Sequence, residues 1–185
     1  MKNLDNYITE RLKLTSKTSQ YSCQPKTSDE LINIIDGIFG KYGTGTKDNP
    51  IDLNDIDVSK IKSFIGVFDN CKQHYFDVSK WDVSQANDFS GMFYNCKNFD
   101  GDLSNWDMSN ASCIDSMFEF CKDFTGKGLN NWDLKNIESA YATFSHCNKL
   151  NITNIYDWKK YKLWNVSGCR NMFIYCDRKP DWWPY

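Results

Sequence analysis

Histidine is scarce in this chain, with His74 and His146 the only two in 185 residues. Neither stands in a zinc-finger spacing and no Cys-x-x-Cys occurs, so the usual metal-site patterns are missing. Neither has a Ser or Cys nucleophile in a recognisable frame, which leaves no catalytic constellation on which to build an enzyme, and no cofactor is implied. Proline and glycine are also few, at four and ten, which excludes a low-complexity chain. No stretch approaches the roughly 20 apolar residues of a membrane span. The start, Met1-Lys-Asn-Leu-Asp-Asn-Tyr-Ile-Thr-Glu-Arg-Leu12, lacks the apolar core of about 7–15 residues that marks a secretion signal. With the initiator Met, it reads as the native start of a cytoplasmic protein. There is no basic excess either. A net charge of -2 and a pI near 5.7 argue against a general nucleic-acid binder.

What the chain has instead is repetition. The clearest copy reads Trp106-Asp-Met-Ser-Asn-Ala111, then Ile114, Met117-Phe118, Cys121 and Phe124. The copy before it runs Trp81-Asp-Val-Ser84, Phe89, Met92-Phe93, Cys96, Phe99. The copy after it runs Trp132-Asp-Leu134, Ile137, Phe144, Cys147, Leu150. A weaker one precedes them (Ile56-Asp-Val-Ser59, Ile61, Phe64, Val67-Phe68, Cys71) and a degenerate one follows (Tyr161, Leu163, Val166, Cys169, Met172-Phe173, Cys176). The slot cysteines Cys71, Cys96, Cys121, Cys147 and Cys176 stand 25, 25, 26 and 29 residues apart. One copy cannot bury its own apolar face, whereas stacked copies can, so a constant period of this length predicts a solenoid. Most of the seven Trp fall in repeat slots, where core filling explains them. Of the eight Cys, five share one slot that wants a small buried apolar residue, so they read as reduced structural thiols, with disulfides or metal ligation as the alternatives.

The spacing of Ile114, Met117, Phe118 and Cys121 at i, i+3, i+4 and i+7 predicts a helical stripe in each copy. The segment around Trp-Asp-Val/Met/Leu lacks that period and predicts a short strand, paired in parallel with its neighbours. The expected fold is therefore an α/β repeat solenoid of about five strand–helix rungs of about 25 residues, leucine-rich-repeat-like and right-handed, with a helical N-terminal cap. The organisation is 1–50 helical cap, 51–177 repeat array and 178–185 aromatic tail. In the cap, Leu4, Tyr7, Ile8 and Leu12 predict an amphipathic helix over Met1 to about Leu14. Thr27 and Glu30 form a capping box for a second helix that runs to about Tyr42, with Leu31, Ile34, Ile35 and Phe39 facing inward and Gly43 as its stop. The Asp after each Trp slot recurs as Asp57, Asp82, Asp107 and Asp133. It reads as a turn cap rather than a cation-binding ladder.

Charge is unevenly spread. Residues 51–157 hold 9 Lys/Arg against 16 Asp/Glu, and residues 158–185 hold 6 Lys/Arg against 2 Asp. An acidic body thus ends in a basic, aromatic terminus. The candidate partner-binding residues are Lys159, Lys160, Lys162, Arg170, Arg178, Lys179, Trp182, Trp183 and Tyr185. For the Trp pair the alternative is a cap closing the last copy.

The phrase Asp102-Leu-Ser-Asn-Trp-Asp-Met-Ser-Asn110, followed by Met117-Phe118-x-x-Cys121, resembles the BspA-like (mycoplasma-type lipoprotein) surface repeat, a family related to leucine-rich repeats. The likeness covers roughly Leu53 to Cys176. It implies a right-handed solenoid and protein–protein recognition without catalysis. Many members are secreted or surface-anchored, and this chain departs from them in lacking a leader and in having few copies. Its short, leaderless form resembles proteins encoded by bacteriophages and mobile elements of gut-type bacteria. The function expected is a non-enzymatic, cytoplasmic recognition module that binds and modulates a host protein or nucleoprotein complex. An antiviral-defence nuclease such as a CRISPR effector is one candidate target. The alternatives are single-stranded nucleic-acid or ribonucleoprotein binding through the basic aromatic end, and cell-surface adhesion. No membrane and no small-molecule substrate is implied.

Overall fold

A computed structural model describes residues 22–185. The helix expected over Met1 to Leu14 lies outside them. The first element described is the helix α1, Ser28–Tyr42. Its start follows from Thr27, whose hydroxyl accepts the Glu30 amide at 3.2 Å. The return half of the expected box differs, because the Glu30 carboxylate takes the Lys26 amide at 2.8 Å. Leu31, Ile34, Ile35 and Phe39 form its buried stripe, and Gly43, at φ 77, ends it by donating to the Phe39 carbonyl.

The strand–helix rungs expected after α1 are not there. Among the described residues α1 is the one α-helix, and the one sheet is a parallel pair of two-residue strands, β1 (Ile51–Asp52) and β2 (Phe76–Asp77). The stretch expected to be helical is a train of tight turns. Met92 bonds back to the Phe89 carbonyl (3.1 Å), Cys96 to Phe93 (3.0 Å), Met117 to Ile114 (3.2 Å) and Cys121 to Phe118 (2.9 Å), each three residues back. A helix is excluded by the third residue of each turn, which is left-handed: Gly91 (φ 60), Asn95 (φ 57), Ser116 (φ 51) and Phe120 (φ 62). Two such turns end to end place residues i, i+3, i+4 and i+7 on one inner side. The spacing that predicted a helical stripe is equally the signature of paired turns.

The expected strand around Trp-Asp-Val/Met is likewise a turn, closed by the bond from the Trp81 amide to the Val78 carbonyl (3.1 Å) and that from Trp106 to Leu103 (3.2 Å). Parallel pairing between copies survives elsewhere, as a file of single-residue bridges through Ser63, Asp88, Cys113, Ser139 and Gly168. The Asp side chains explain why these segments turn. Asp57, Asp82 and Asp107 each accept the amide two residues on (3.0, 3.1 and 2.9 Å), and Asp133 accepts that of Lys135. These are Asx turns, so the carboxylate is occupied locally. The Ser109 hydroxyl and amide hold Asp107 below the usual carboxylate range, and Ser104 does the same for Asp102.

Copies lie over one another with like residues in register. Phe68, Phe93, Phe118, Phe144 and Phe173 form one ring column, with successive centroids 5.4, 5.5, 5.8 and 5.4 Å apart. Phe93, Phe118 and Phe144 are fully buried. Burying rings of this size is the main driving force for the fold, at about 2–3 kcal/mol for each fully buried side chain. A second column carries a hydrogen bond: the indole Nε1 of Trp81 donates to the Leu53 carbonyl, Trp106 to Val78, Trp132 to Leu103 and Trp158 to Leu129 (2.8–3.3 Å). Trp158, not the expected Tyr161, therefore fills the Trp slot of the last copy, and the extra residues follow the Trp instead of preceding it. Gly128 meets a tight spot between copies, because a Cβ there would drive into the backbone of Leu103 and Ser104. Its left-handed φ of 87 also favours glycine.

Candidate functional site

The basic terminus begins in the connection to the last copy, a 3-10 helix over Ile152–Tyr161 that buries Ile155 and Trp158 and exposes its lysines. Asn151 caps it by accepting the Thr153 amide. Lys162, left-handed at φ 49, closes it. The Lys159 ammonium lies 4.0 Å from the centroid of the exposed Tyr156 ring, and that of Lys160 lies 4.8 Å from Tyr161. Both cations thus rest on aromatic faces with their charge towards solvent.

The tail forms a second group. Trp183 is 4% exposed and meets Phe173, the last ring of the buried column, edge-on at 5.1 Å. Trp182 is half-buried, packed edge-on to Trp183 at 6.0 Å and tilted against Trp164 at 5.8 Å. Trp183 therefore covers the end of the interior, while Trp182 stands at its margin. Tyr185 is half exposed and sits under the Arg170 guanidinium at 5.9 Å, and its carbonyl accepts from the Lys179 ammonium. Arg170, Lys179 and Tyr185 are brought together by these contacts. Arg178 is exposed. Among the described residues no hydrogen bond, ion pair or ring contact joins the lysines of the connection to the tail group.

Electrostatics separate this end from the body. The three ion pairs among the described residues, Lys127–Asp100, Lys135–Asp133 and Lys149–Asp123, all lie in the acidic body. None involves Lys159, Lys160, Lys162, Arg170, Arg178 or Lys179. No acidic side chain pairs with them among the described residues, although the Lys179 ammonium is already bonded to the Tyr185 carbonyl. Among the described residues no three His, Cys, Asp or Glu side chains lie close enough together to hold a metal ion, and the seven cysteines from Cys71 to Cys176 are free thiols. No helix among them is long and apolar enough to cross a membrane. A mostly apolar cavity of about 510 Å³ lies at the opposite end, lined by Ile34, Ile38, Ile51, Leu53 and Ile56. Its lining also includes Ser22 and Cys23, where the described chain begins.

Reasoning from sequence missed an aromatic file on the outside of the stack. Phe120 stacks on His146 (4.5 Å, 9° between planes) and His146 on Tyr175 (5.3 Å, 14°), and Tyr175 is 70% exposed. The signal was present, since these three residues occupy one slot, directly before Cys121, Cys147 and Cys176. They escaped notice because the slot holds Asn70 and Asn95 in the earlier copies. Those two carry on the same file as an amide contact, from Asn95 Nδ2 to Asn70 Oδ1 at 2.7 Å.

No curated protein and no solved structure matches this chain. A family model described as a Mycoplasma protein of unknown function, DUF285, matches residues 36–158 and 105–178. Those matches span well over half of the sequence, and the chain belongs to that family.

Proposed function

We propose that this protein is a non-enzymatic recognition module whose basic, aromatic terminus binds an acidic face of another protein and modulates it. The observation that carries the reading is the set of six cations at residues 158–185 without an ion pair among the described residues, set against an acidic body whose lysines are partly paired. Unpaired cations beside Trp and Tyr side chains are the composition of a binding hot spot. Charge of one sign at one end also steers encounter with a partner of the opposite sign. The BspA-like resemblance favours recognition over catalysis. The resemblance to phage and mobile-element proteins favours a host protein as the target, with a defence nuclease such as a CRISPR effector the first to test.

The experiment is affinity capture from host lysate with mass spectrometry, run on the native protein and on a variant with Lys159, Lys160, Lys162, Arg170, Arg178 and Lys179 changed to Glu. A stoichiometric partner lost in the variant, with thermal stability nearly unchanged, supports the reading. Capture that is indifferent to the six substitutions defeats it. Single-stranded nucleic-acid binding is a second reading, favoured by the open Tyr175 ring, which Arg170 and Arg178 flank in sequence. It requires binding of single-stranded RNA that weakens steeply with salt.

A further inference from the structure

The last copy carries a row of backbone amides that the first three copies have filled and the fourth has filled at two positions of three. From each of the first three copies to the next, amides two residues apart donate to carbonyls two residues apart. Gly91 donates to Asp115 (2.8 Å), Phe93 to Met117 (2.9 Å) and Asn95 to Glu119 (2.8 Å). In the next copy Ser116, Phe118 and Phe120 donate to Tyr141, Thr143 and Ser145 (2.7, 3.0 and 2.9 Å). Amides in between close the turns. The corresponding donors of the last copy are the N–H groups of Asn171, Phe173 and Tyr175, and these have no acceptor among the described residues. Met172, Ile174 and Cys176 are occupied in turns, bonding to Cys169, Asn171 and Phe173 (3.0, 3.0 and 3.1 Å). The tail shields the interior through Trp183 but takes up none of the three amides.

We propose that this edge receives an extended, acidic segment of a partner polypeptide, laid along the last copy as one more layer. The interior of the molecule states what the edge accepts, because at the first three junctions the same donors meet a chain whose carbonyls recur every second residue, and at the fourth Ala142 and Phe144 still donate to Asn171 and Met172 of the next copy. An extended peptide presents carbonyls along one edge with that repeat. Charge selects its side chains: Arg170 precedes the amide row, Arg178 and Lys179 follow it, and none is ion-paired among the described residues. The exposed Tyr175 ring offers its outer face for stacking, as the inner members of its file already do. A phosphodiester backbone supplies negative charge but no carbonyl row, so a peptide fits better than a nucleic acid. The inference rests on the recognition reading above and names the chemistry of its partner.

The test is amide hydrogen exchange by NMR on the full chain, with a short acetylated peptide of alternating Glu and Val as the probe. Alternating Lys and Val serves as one control and a short oligothymidylate as the other. The expected result is exchange slowed about tenfold or more at Asn171, Phe173 and Tyr175, little change at Met172 and Ile174, and loss of the effect in an R170E/R178E variant of unchanged melting temperature. Equal protection by the Lys peptide, protection by the oligothymidylate alone, or none at millimolar probe overturns it. If the charge-reversed protein loses its captured host protein while these amides never gain protection from the probe, side-chain recognition stands and the added layer does not.

Discussion

The thiol of Cys121 donates a hydrogen bond to the carbonyl of Phe93, one copy earlier in the stack, at 2.9 Å. Cys96 makes the same bond to Phe68 and Cys147 to Phe118, each at 2.9 Å. The slot thus asks for a small side chain that is apolar in bulk and carries one donor, and cysteine meets both demands. Burial pushes the thiols of Cys96, Cys121 and Cys147 far above their ordinary value. The thiolate is the nucleophile, so these three are expected to resist iodoacetamide in the folded protein and to react on unfolding. Cys71, half-buried at the first copy, is expected to react ahead of them. Mass spectrometry of partially alkylated protein orders the sites, and early modification of Cys121 would refute the buried column.

Replacing Trp106 with Phe removes the indole donor to Val78 (3.1 Å) and leaves part of its volume empty. The Val78 carbonyl keeps the Trp81 amide, so the loss is mainly one of packing. Destabilisation of about 2–4 kcal/mol is expected, within the range for large-to-small core changes. Urea unfolding measures it. A loss below about 0.5 kcal/mol, the level of ordinary surface substitutions, would place Trp106 outside the load-carrying interior.

The substitution of Gly91 by Ala separates a turn from a helix by its sign. In a helix this change is worth about 1 kcal/mol of added stability. At φ 60 it is expected to remove about 1 kcal/mol instead, since a Cβ strains the left-handed backbone. Steric contact does not confuse the result, because the nearest atom to the new Cβ is the Tyr94 Cβ at 3.8 Å. Ala142, left-handed at φ 54, provides the converse, with Ala142→Gly expected to relieve that strain. Melting temperatures of the two variants moving in opposite directions is the outcome the turn requires.

Gly91 and Asn95 also mark where the sequence could be read and where it was misread. The period, the apolar slots and the register of the ring column all followed from spacing, because stacking demands like residues at like positions. The capping Thr27 and the turn-forming Asp residues followed from side-chain chemistry within a few residues. Local conformation in each copy did not, because apolar spacing cannot distinguish a helix from two turns. The distinction lay in the polar positions: Phe89-Ser-Gly-Met92 and Phe93-Tyr-Asn-Cys96 each put a residue tolerant of positive φ third in the turn. In the next two copies Ser116, Phe120, Ala142 and His146 take those places, and there the signal is lost. The terminal amide row was invisible for another reason. It is defined by backbone bonds that residues 177–185 do not supply, which no residue type announces.

His74 takes the slot that Phe99 and Phe124 fill in the next two copies, at the seam between α1 and the stack. Its ring lies on Phe39 at 4.1 Å, 21° from parallel, and its Nδ1 is buried without a hydrogen-bond partner. Burial holds its pKa below the ordinary 6.5, with the Asp36 carboxylate opposing that shift. Unfolded chains therefore take up a proton at this site near pH 6.5, and folded chains only at lower pH. In between, the unfolded state binds more protons, so this group's contribution to stability is full above pH 6.5 and is lost as pH falls through that window. Asp102, Asp107 and Asp133 have lowered values, so their own losses begin only near the ordinary carboxyl range, around pH 4. His74→Phe removes the titration and restores the ring of the later copies. It is expected to raise stability by about 1 kcal/mol at neutral pH, by deleting an unsatisfied buried nitrogen, which is about 2–4 °C in melting temperature for a chain of this size. The gap between variant and native protein should then widen from about pH 7.5 to about pH 5.5. A constant gap across that interval would mean that His74 titrates alike in both states, and a narrowing one that its folded form prefers the proton.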